Sequence, residues 1–186
     1  MKEFSLAGTK RAENGKKAAK LLRAQGLIPC NLMSKDGAQS FTVKVADVRN
    51  LLYTSQVFAV KLNIDGAECL AILKEVQCGP VNDEILHLDF QMFSADEAIA
   101  VAIPVKLEGF AEGVKAGGKL VKQVRSLTVK GLYTAIPEYL IVDVTAIELG
   151  KTLKVATLNY DGLEILTAPS VIVAAVKATR ASRQKN

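Results

Sequence analysis

Tryptophan is absent from this chain of 186 residues, and aromatic residues together make up only 5% of it. The sequence also holds a single histidine and only three cysteines, Cys30, Cys69 and Cys78. A small, odd number of cysteines favours free thiols in a reducing compartment over a disulfide framework. No stretch approaches the roughly 18 apolar residues that a membrane-spanning helix needs, and the first residues lack the apolar core of a secretion signal. We therefore expect a cytoplasmic protein with no membrane partner.

Apolar residues are abundant by contrast, at 49% of the chain, which is enough for one domain or two small ones with real cores. The net charge of +5 comes from 24 Lys and Arg against 19 Asp and Glu. Its distribution is uneven, because residues 1–35 hold eight Lys or Arg against two Glu. Such local basicity is typical of phosphate contacts, although an anionic membrane surface or an acidic protein would suit it too.

The most basic stretch predicts a short helix between Gly15 and Gly26, with Ile28-Pro29 forcing an extended path beyond it. At about 100° per residue, its side chains divide into an apolar arc and a cationic arc. The two arcs consist of Ala18, Leu21, Leu22 and Gln25 on one side and of Lys16, Lys20 and Arg23 on the other. One face is suited to docking and the other to meeting an anion. A solvated surface helix is the simpler alternative.

Alternation of apolar and polar residues predicts that strands dominate the first half of the chain. These strands are expected near residues 4–9, 30–33, 41–45, 58–64, 69–76 and 85–90. Asp47 is placed to cap a helix that carries Val48 and Leu51, and Asp65-Gly66 is a strong hairpin signal.

A loop from Gln77 to Glu84 is expected before the last of these strands. In that strand, Leu86, Leu88 and Phe90 are predicted to face a core. His87 and Asp89 then share the opposite face.

The polar cluster at residues 94–97 indicates a boundary, because a second set of strands follows it. Those strands are expected near residues 99–107, 120–129, 140–144, 163–165 and 171–173. We therefore predict a mainly β fold with a few helices, organised as a first domain over 1–94 and a small β-rich domain over 95–178. Residues 179–186 form a basic tail that is too polar to pack and is expected to be flexible.

A phosphate-binding loop is one catalytic alternative, since residues 113–119 satisfy its G-x-x-x-x-G-K part. Leu120 stands where that loop needs Ser or Thr to contact magnesium, and the following residues read as a strand rather than a helix. The spacing thus favours a structural glycine loop over a nucleotide site.

The sequence gives equally little support for a metal site or for acid-base catalysis. Cys69, Cys78 and His87 are too widely spaced and too few for a typical zinc site. His87 with Asp89 could orient a proton transfer, but no serine or cysteine is identifiable as a nucleophile, so contact with an RNA sugar or base edge and a plain surface pair stay open. We expect no enzyme activity, cofactor or metal.

Several motifs, taken in order along the chain, carry a resemblance to a known family. They are Arg11, Gly15-Lys16, Lys20, Arg23, Gly26, Ile28-Pro29, Gln77, Pro80, His87-Leu88-Asp89-Phe90, Gly109-Phe110-Ala111-Glu112-Gly113-Val114-Lys115, Gly117-Gly118, Ile136-Pro137-Glu138 and Leu149-Gly150-Lys151. The first set resembles the large-subunit ribosomal protein family, numbered twenty-five, that binds 5S ribosomal RNA. The second set resembles the extra domain of its long members, also called general stress protein CTC.

This resemblance implies an N-terminal β-barrel flanked by short helices that docks on the loop E helix of 5S rRNA, with a second domain that reaches elsewhere on the large ribosomal subunit. The widened minor groove of an RNA helix presents 2′-hydroxyls and base edges, which cations and short polar side chains can contact. The positions carried over are Arg11, Lys16, Lys20 and Arg23 as backbone-contacting cations, and Gln77, His87 and Asp89 as polar contacts. Off the ribosome we expect a monomer.

Two departures from the family pattern motivate a rival hypothesis. Met33-Ser34 stands where the family usually has Tyr-Gly, and Cys78-Gly79 stands where it often has a basic or aromatic residue followed by histidine. Stacking of a base on an aromatic ring is worth about 1–3 kcal/mol, so these changes remove binding energy without touching the core. The rival is a stress-associated interaction module that has lost tight rRNA binding.

Overall fold

A computed structural model of the protein describes residues 1–11, 13, 15–35, 37–94 and 96–179. The chain divides into two compact units, Met1–Glu97 and Ala98–Asn186. Strands dominate both units, which confirms the mainly β fold with a few helices. The basic tail predicted over 179–186 lies, from residue 180 onward, outside the described residues.

The first unit is a closed six-stranded β-barrel with two helices, as the resemblance implied. Its strands are β1 (Lys2–Lys10), β2 (Leu27–Ser34), β3 (Gly37–Lys44), β4 (Phe58–Ile64), β5 (Ala67–Cys78) and β6 (Ile85–Met92). The helices are α1 (Lys16–Ala24) and α2 (Val45–Leu52). Around the barrel the strands follow the order β1-β3-β2-β6-β5-β4.

Two kinds of pairing close the barrel. β4 and β5 are antiparallel partners joined by a short turn, and Asp65 and Gly66 both have positive φ angles there, 49° and 91°. A two-residue turn of that kind matches the twist of the strands, which confirms the hairpin predicted from Asp65-Gly66. The pairs β1 with β4 and β2 with β6 are parallel, and they join strands that are distant in the chain, as does the antiparallel pair of β1 with β3.

Alternating side chains of all six strands fill the barrel, and α2 adds Val48 and Leu51 to the same core. Phe41 and Phe90 are fully buried, with ring centroids 5.7 Å apart. Helix α2 begins at Val45, earlier than predicted, and its N-cap residue Lys44 makes no side-chain cap bond. The prediction that Asp47 caps this helix is therefore wrong. The carboxylate of Asp47 lies instead within the first turn, where a negative charge interacts favourably with the helix dipole.

The three free cysteines differ sharply in burial. Cys30 lies inside the barrel core, and burial, with a further contribution from the charge of Asp89, raises the pKa of its thiol to about 12. Burial also raises the pKa of Cys69, which is partly covered, whereas Cys78 is exposed at the end of β5. Since the thiolate is the reactive form, these environments rank the three thiols by reactivity.

We expect iodoacetamide at pH 8 to modify Cys78 first, Cys69 more slowly and Cys30 only after unfolding, as read by mass spectrometry of peptides. In urea all three thiols should react at similar rates. Between pH 9.0, the usual pKa of a cysteine thiol, and about pH 12, the Cys30 thiol keeps its proton in the native state but loses it in the unfolded chain, so its contribution to stability falls as pH rises through that window. Labelling of native Cys30 as fast as Cys78 would contradict the buried placement.

The second unit contains two sheets and a one-turn helix. Its elements are β7 (Ala98–Glu108), α3 (Glu112–Lys115), β8 (Lys119–Lys122), β9 (Ser126–Leu132), β10 (Leu140–Asp143), β11 (Thr152–Lys154), a 3₁₀ turn (Val155–Thr157), β12 (Leu163–Ile165) and β13 (Ile172–Lys177). The order is β10-β7-β9-β12 in one sheet and β11-β13-β8 in the other. The continuous strand predicted over 120–129 is thus wrong, because β8 and β9 belong to different sheets. Within the described part of the chain, no helix is long and apolar enough to cross a membrane.

Candidate nucleic-acid interface

Helix α1 forms where the sequence predicts it, between Gly15 with φ 129° and Gly26 with φ 74°. Both glycines adopt left-handed values that other residues avoid, so the helix is sharply bounded at each end. Lys16, Lys17 and Lys20 are exposed on it, and none of them forms an ion pair with another described residue. The helix therefore presents three unneutralised positive charges to solvent.

The docked face of α1 differs from the predicted one. The side chains that are partly covered, on the side that packs towards β2, are Ala18, Ala19, Leu22 and Arg23. Leu21, which was predicted to dock, is 62% exposed, and Arg23 is turned towards the barrel rather than away from it. At about 100° per residue the observed face is rotated by roughly a quarter turn from the predicted one. Ala18 and Ala19 are small enough for α1 to approach β2 closely. A prediction based on the large apolar residues of the helix does not detect this face.

Arg23 is held by a hydrogen bond to the barrel. Its Nε donates to the main-chain carbonyl oxygen of Leu86 at 3.0 Å. Leu86 is the extra residue of a β-bulge, because Gln77 pairs with His87 while Cys78 pairs with Ile85. The bulge also means that Ile85 enters the barrel core in place of Leu86, so the predicted inward placement of Leu86 is wrong.

Gln77, His87 and Asp89 lie together on the barrel, but not as the sequence suggested. Gln77 belongs to β5 rather than to the following loop, and its Cα partner across the sheet is His87. Asp89 lies two residues further along β6, with Glu75 of β5 as its partner. The structure thus brings these three predicted residues to neighbouring positions on two paired strands.

His87 and Asp89 are more covered than a plain surface pair. Their side chains are 20% and 11% exposed, and Nδ1 of His87 lies 3.3 Å from Oδ2 of Asp89. The same Nδ1 is buried and makes no well-aligned hydrogen bond with a described residue. The pair is therefore a partly enclosed donor and acceptor set on the barrel surface, with its carboxylate close to the imidazole.

A row of polar residues extends from Asp89 across the neighbouring strands. Asn31 of β2 is the partner of Asp89, and Ser40 of β3 is the partner of Asn31. The Ser40 hydroxyl lies 3.1 Å from Oδ1 of Asn31. Arg11 reaches the same row, because its main-chain N–H donates to the carbonyl oxygen of Ser40 at 3.0 Å. Both Arg11 and Asp89 act electrostatically on the Cys30 thiol, which agrees with their proximity.

Sequence reasoning missed Asn31 and Ser40 as members of this surface. The signal for Asn31 was a single amide in the otherwise apolar run Leu27–Leu32, which a buried strand would not tolerate without a partner. Ser40 had no comparable signal, because it becomes part of the row only through the pairing of β3 with β2. Met33 lies two residues beyond Asn31, is 46% exposed and pairs with Gln91.

The chemistry of this surface suits an anionic polymer with hydrogen-bonding edges. Lys16, Lys17 and Lys20 supply point charges, and the row beside α1 supplies amide, hydroxyl, imidazole and carboxylate groups. Backbone phosphates are contacted by cations, whereas base edges and 2′-hydroxyls are read by short polar side chains. Met33 and Cys78 provide no aromatic platform at the positions where the resemblance expects one.

The glycine-rich loop of the second unit has a structural role. A Cβ atom on Gly113 would lie 2.6 Å from main-chain atoms of Glu148 and Leu149, and one on Gly118 would lie 2.6 Å from the carbonyl oxygen of Gly113. Close packing of the chain against itself thus requires these glycines. Their main-chain N–H groups donate to the carbonyl oxygens of Ile147 and Gly113, so they are not available to hold a nucleotide phosphate. Within the described residues, no group of three or more His, Cys, Asp or Glu side chains could hold a metal.

Comparison with known proteins is consistent with this geometry. The profile of the Ribosomal L25p family matches residues 6–90, and that of ribosomal protein TL5, C-terminal domain, matches residues 98–180. The large ribosomal subunit protein bL25 of Phocaeicola vulgatus is 49% identical over 190 residues, which cover 98% of this chain and 96% of that protein. The chain belongs to the Ribosomal L25p family.

Other members of the family show the same full-length similarity. The large ribosomal subunit protein bL25 of Porphyromonas gingivalis is 47% identical over 98% of this chain and 96% of its own length. That of Azobacteroides pseudotrichonymphae is 48% identical over 98% of this chain and 97% of its own length. The resemblance inferred from the ordered motifs, including the long form with a TL5-type C-terminal domain, is thereby confirmed. The family comprises structural rather than catalytic proteins, which decides against the acid-base reading of His87 with Asp89.

Proposed function

We propose that this chain is a structural protein of the large ribosomal subunit that binds 5S rRNA in its loop E region, in the cytoplasm. The observation that carries the proposal is the juxtaposition of three unneutralised lysines on α1 with the polar row on β3, β2, β6 and β5. The names of the bL25 relatives, which place those proteins in the large ribosomal subunit, support the same conclusion.

The residues take different parts in this proposal. Lys16 and Lys20 contact phosphates, and Arg11, which follows β1, contacts the RNA backbone. Arg23 acts mainly by holding α1 against the barrel. Gln77, His87 and Asp89 contact 2′-hydroxyls or base edges, and Asn31 joins them. The proposed RNA-binding domain spans residues 1–94, and the protein is proposed to be a monomer off the ribosome.

The test is a salt titration of binding to a loop E RNA fragment, comparing the parent with the double variant Lys16→Gln and Lys20→Gln. If each lysine neutralises one phosphate, the slope of log K against log salt should fall by about one to two and affinity at fixed salt by roughly tenfold. The matched control is Lys106→Gln with Lys130→Gln, two exposed lysines of the second unit, which should change neither value. A parent protein that binds the fragment no better than an unrelated RNA would refute the proposal.

A second candidate function is the stress-associated interaction module without tight rRNA binding. It is favoured by Met33 and Cys78, which are exposed side chains without an aromatic ring at positions of the proposed RNA-binding surface. Sucrose-gradient fractionation of cell extracts separates the two candidates. Comigration with the large subunit favours the ribosomal role, and recovery only in the ribosome-free fractions favours the second candidate.

A further inference from the structure

The three-stranded sheet of the second unit gathers lysines at one end. Lys119 opens β8, Lys177 closes β13, Lys115 ends α3 and Lys151 directly precedes β11. All four side chains are exposed. Main-chain bonds join the segments that carry them, including Gly118 N–H to the carbonyl oxygen of Gly113 at 2.8 Å and Val176 N–H to that of Lys151 at 3.1 Å.

Lys119 and Lys177 form a like-charged pair within this lysine end. They are direct Cα partners in the antiparallel pairing of β8 with β13. Directly opposed residues lie about 4.5–5.5 Å apart, and like charges in that arrangement destabilise a sheet. Among the described residues none of the four lysines has an ion-pair partner. Glu112 and Glu148, which lie close in the chain to Lys115 and Lys151, form no ion pair with them. The repulsion is therefore not neutralised within the described part of the chain.

The main chain beneath the lysines is closely packed. Cβ atoms added at Gly113 or Gly118 would come within 2.6 Å of main-chain atoms, so α3 and its loop pack without space against the segment before β11. The loop that satisfied the G-x-x-x-x-G-K spacing thus sets Lys115 and Lys119 on a fixed frame. Close packing fixes the main-chain positions of the two lysines, so that only their side chains need to be ordered when an anion binds.

The composition of this end favours a nucleic acid over a protein partner. Cores of protein interfaces are enriched in aromatic residues and depleted of lysine. None of the large apolar side chains exposed in the described part of this unit, Phe110, Leu132, Ile141 and Leu166, belongs to α3, β8, β11 or β13. Lysines gathered on elements that carry no exposed large apolar residue match a backbone of repeated phosphates, for which sequence-independent contacts by cations suffice.

We propose that Lys119 and Lys177, flanked by Lys115 and Lys151, form a second RNA-binding surface that contacts the phosphate backbone of an RNA duplex. This surface lies in the second unit and needs no loop E structure in its ligand. It therefore stands independently of 5S rRNA recognition by α1.

The experiment measures binding of the full chain to a regular RNA duplex of about two helical turns, without loop E, as a function of salt. The background variant replaces Lys16, Lys17 and Lys20 of α1 by Gln, so that the remaining binding comes mainly from other surfaces. In this background, Lys119→Gln with Lys177→Gln should lower duplex affinity several-fold and reduce the salt slope by about one to two. Removal of the like-charged pair should also leave the melting temperature unchanged or higher, which excludes unfolding as the cause.

The matched control in the same background is Lys106→Gln with Lys130→Gln, which removes the same charge from other strands. Equal effects of the two double variants would overturn the proposal, because binding would then follow net charge alone. Binding of polyglutamate as tightly as the duplex at the same salt would overturn the assignment to RNA and favour an acidic protein. If the α1 variant loses loop E binding but keeps duplex binding, the result supports the second-unit surface independently of 5S rRNA recognition.

Discussion

Replacement of Phe90 by Ala should lower the free energy of unfolding of the first unit by about 3–5 kcal/mol, the range for deleting a buried phenylalanine ring. Phe90 is fully buried on β6 and contacts the ring of Phe41 on β3, with centroids 5.7 Å apart. These strands are separated by β2 in the barrel, so the two rings fill its interior rather than one edge. The surrounding closed sheet cannot collapse easily into the space, which places the loss towards the upper part of the range.

Hydrogen exchange of the amides in β2 and β6 measures this loss specifically in the first unit. Tyr53→Ala is the matched control, because it removes an aromatic ring that is 71% exposed in the same unit. That control should change stability by no more than about 0.5 kcal/mol. Similar losses for the two variants would show that the barrel core is not organised around the Phe41 and Phe90 contact.

The second large effect is expected at Arg23, where replacement by Ala should release α1 from the barrel. The bond from Nε to the Leu86 carbonyl involves a charged donor, and such hydrogen bonds contribute about 1.5–3 kcal/mol. Helix α1 has nine residues, and a helix this short is marginal without tertiary contacts. Exchange protection of α1 amides should therefore collapse while the strands of the barrel keep theirs.

Binding to RNA distinguishes this docking role from a phosphate contact. Arg23→Ala should weaken loop E binding, because Lys16 and Lys20 lose their fixed positions. Arg23→Lys keeps the charge but lacks the planar guanidinium that reaches Leu86, so it should reproduce the loss of α1 protection while the charge is retained. If Arg23 were purely a phosphate contact, Arg23→Ala would leave α1 protected and reduce the salt slope by about one, and Arg23→Lys would be nearly silent.

The sequence alone only partly predicts which residues lie together on the barrel surface. The basic helix, the cations on it and the polar character of His87 and Asp89 follow from local spacing. Asn31 and Ser40 join Asp89 only because β3, β2 and β6 are neighbours, and that order depends on a parallel pairing between distant segments. Local periodicity carries no information on such pairings, since their stabilisation comes from side chains far apart in the sequence.

The bulge at Leu86 illustrates the same limit at the scale of one residue. The alternation of Ile85 to Phe90 predicts that Leu86 faces inward, and within an isolated strand it would. Pairing of Cys78 with Ile85 and of Gln77 with His87 leaves Leu86 as an extra residue, so that Ile85 takes the inward position. The carbonyl oxygen of Leu86 then accepts the hydrogen bond from Arg23. This bond turns a different face of α1 towards the barrel from the face that the helix composition indicated.

By itself the sequence determined the mainly β class, the hairpin at Asp65-Gly66, the existence of α1 and the concentration of positive charge near it. Each of these depends on interactions within a few residues, such as alternation, turn conformation and helix-ending glycines. Only the tertiary structure decided the closure of the barrel, the bulge at Leu86, the docking of Arg23 and the opposition of Lys119 to Lys177. These features depend on which distant strands pair and in which register, and that is set by the packing of the whole core rather than by any local pattern.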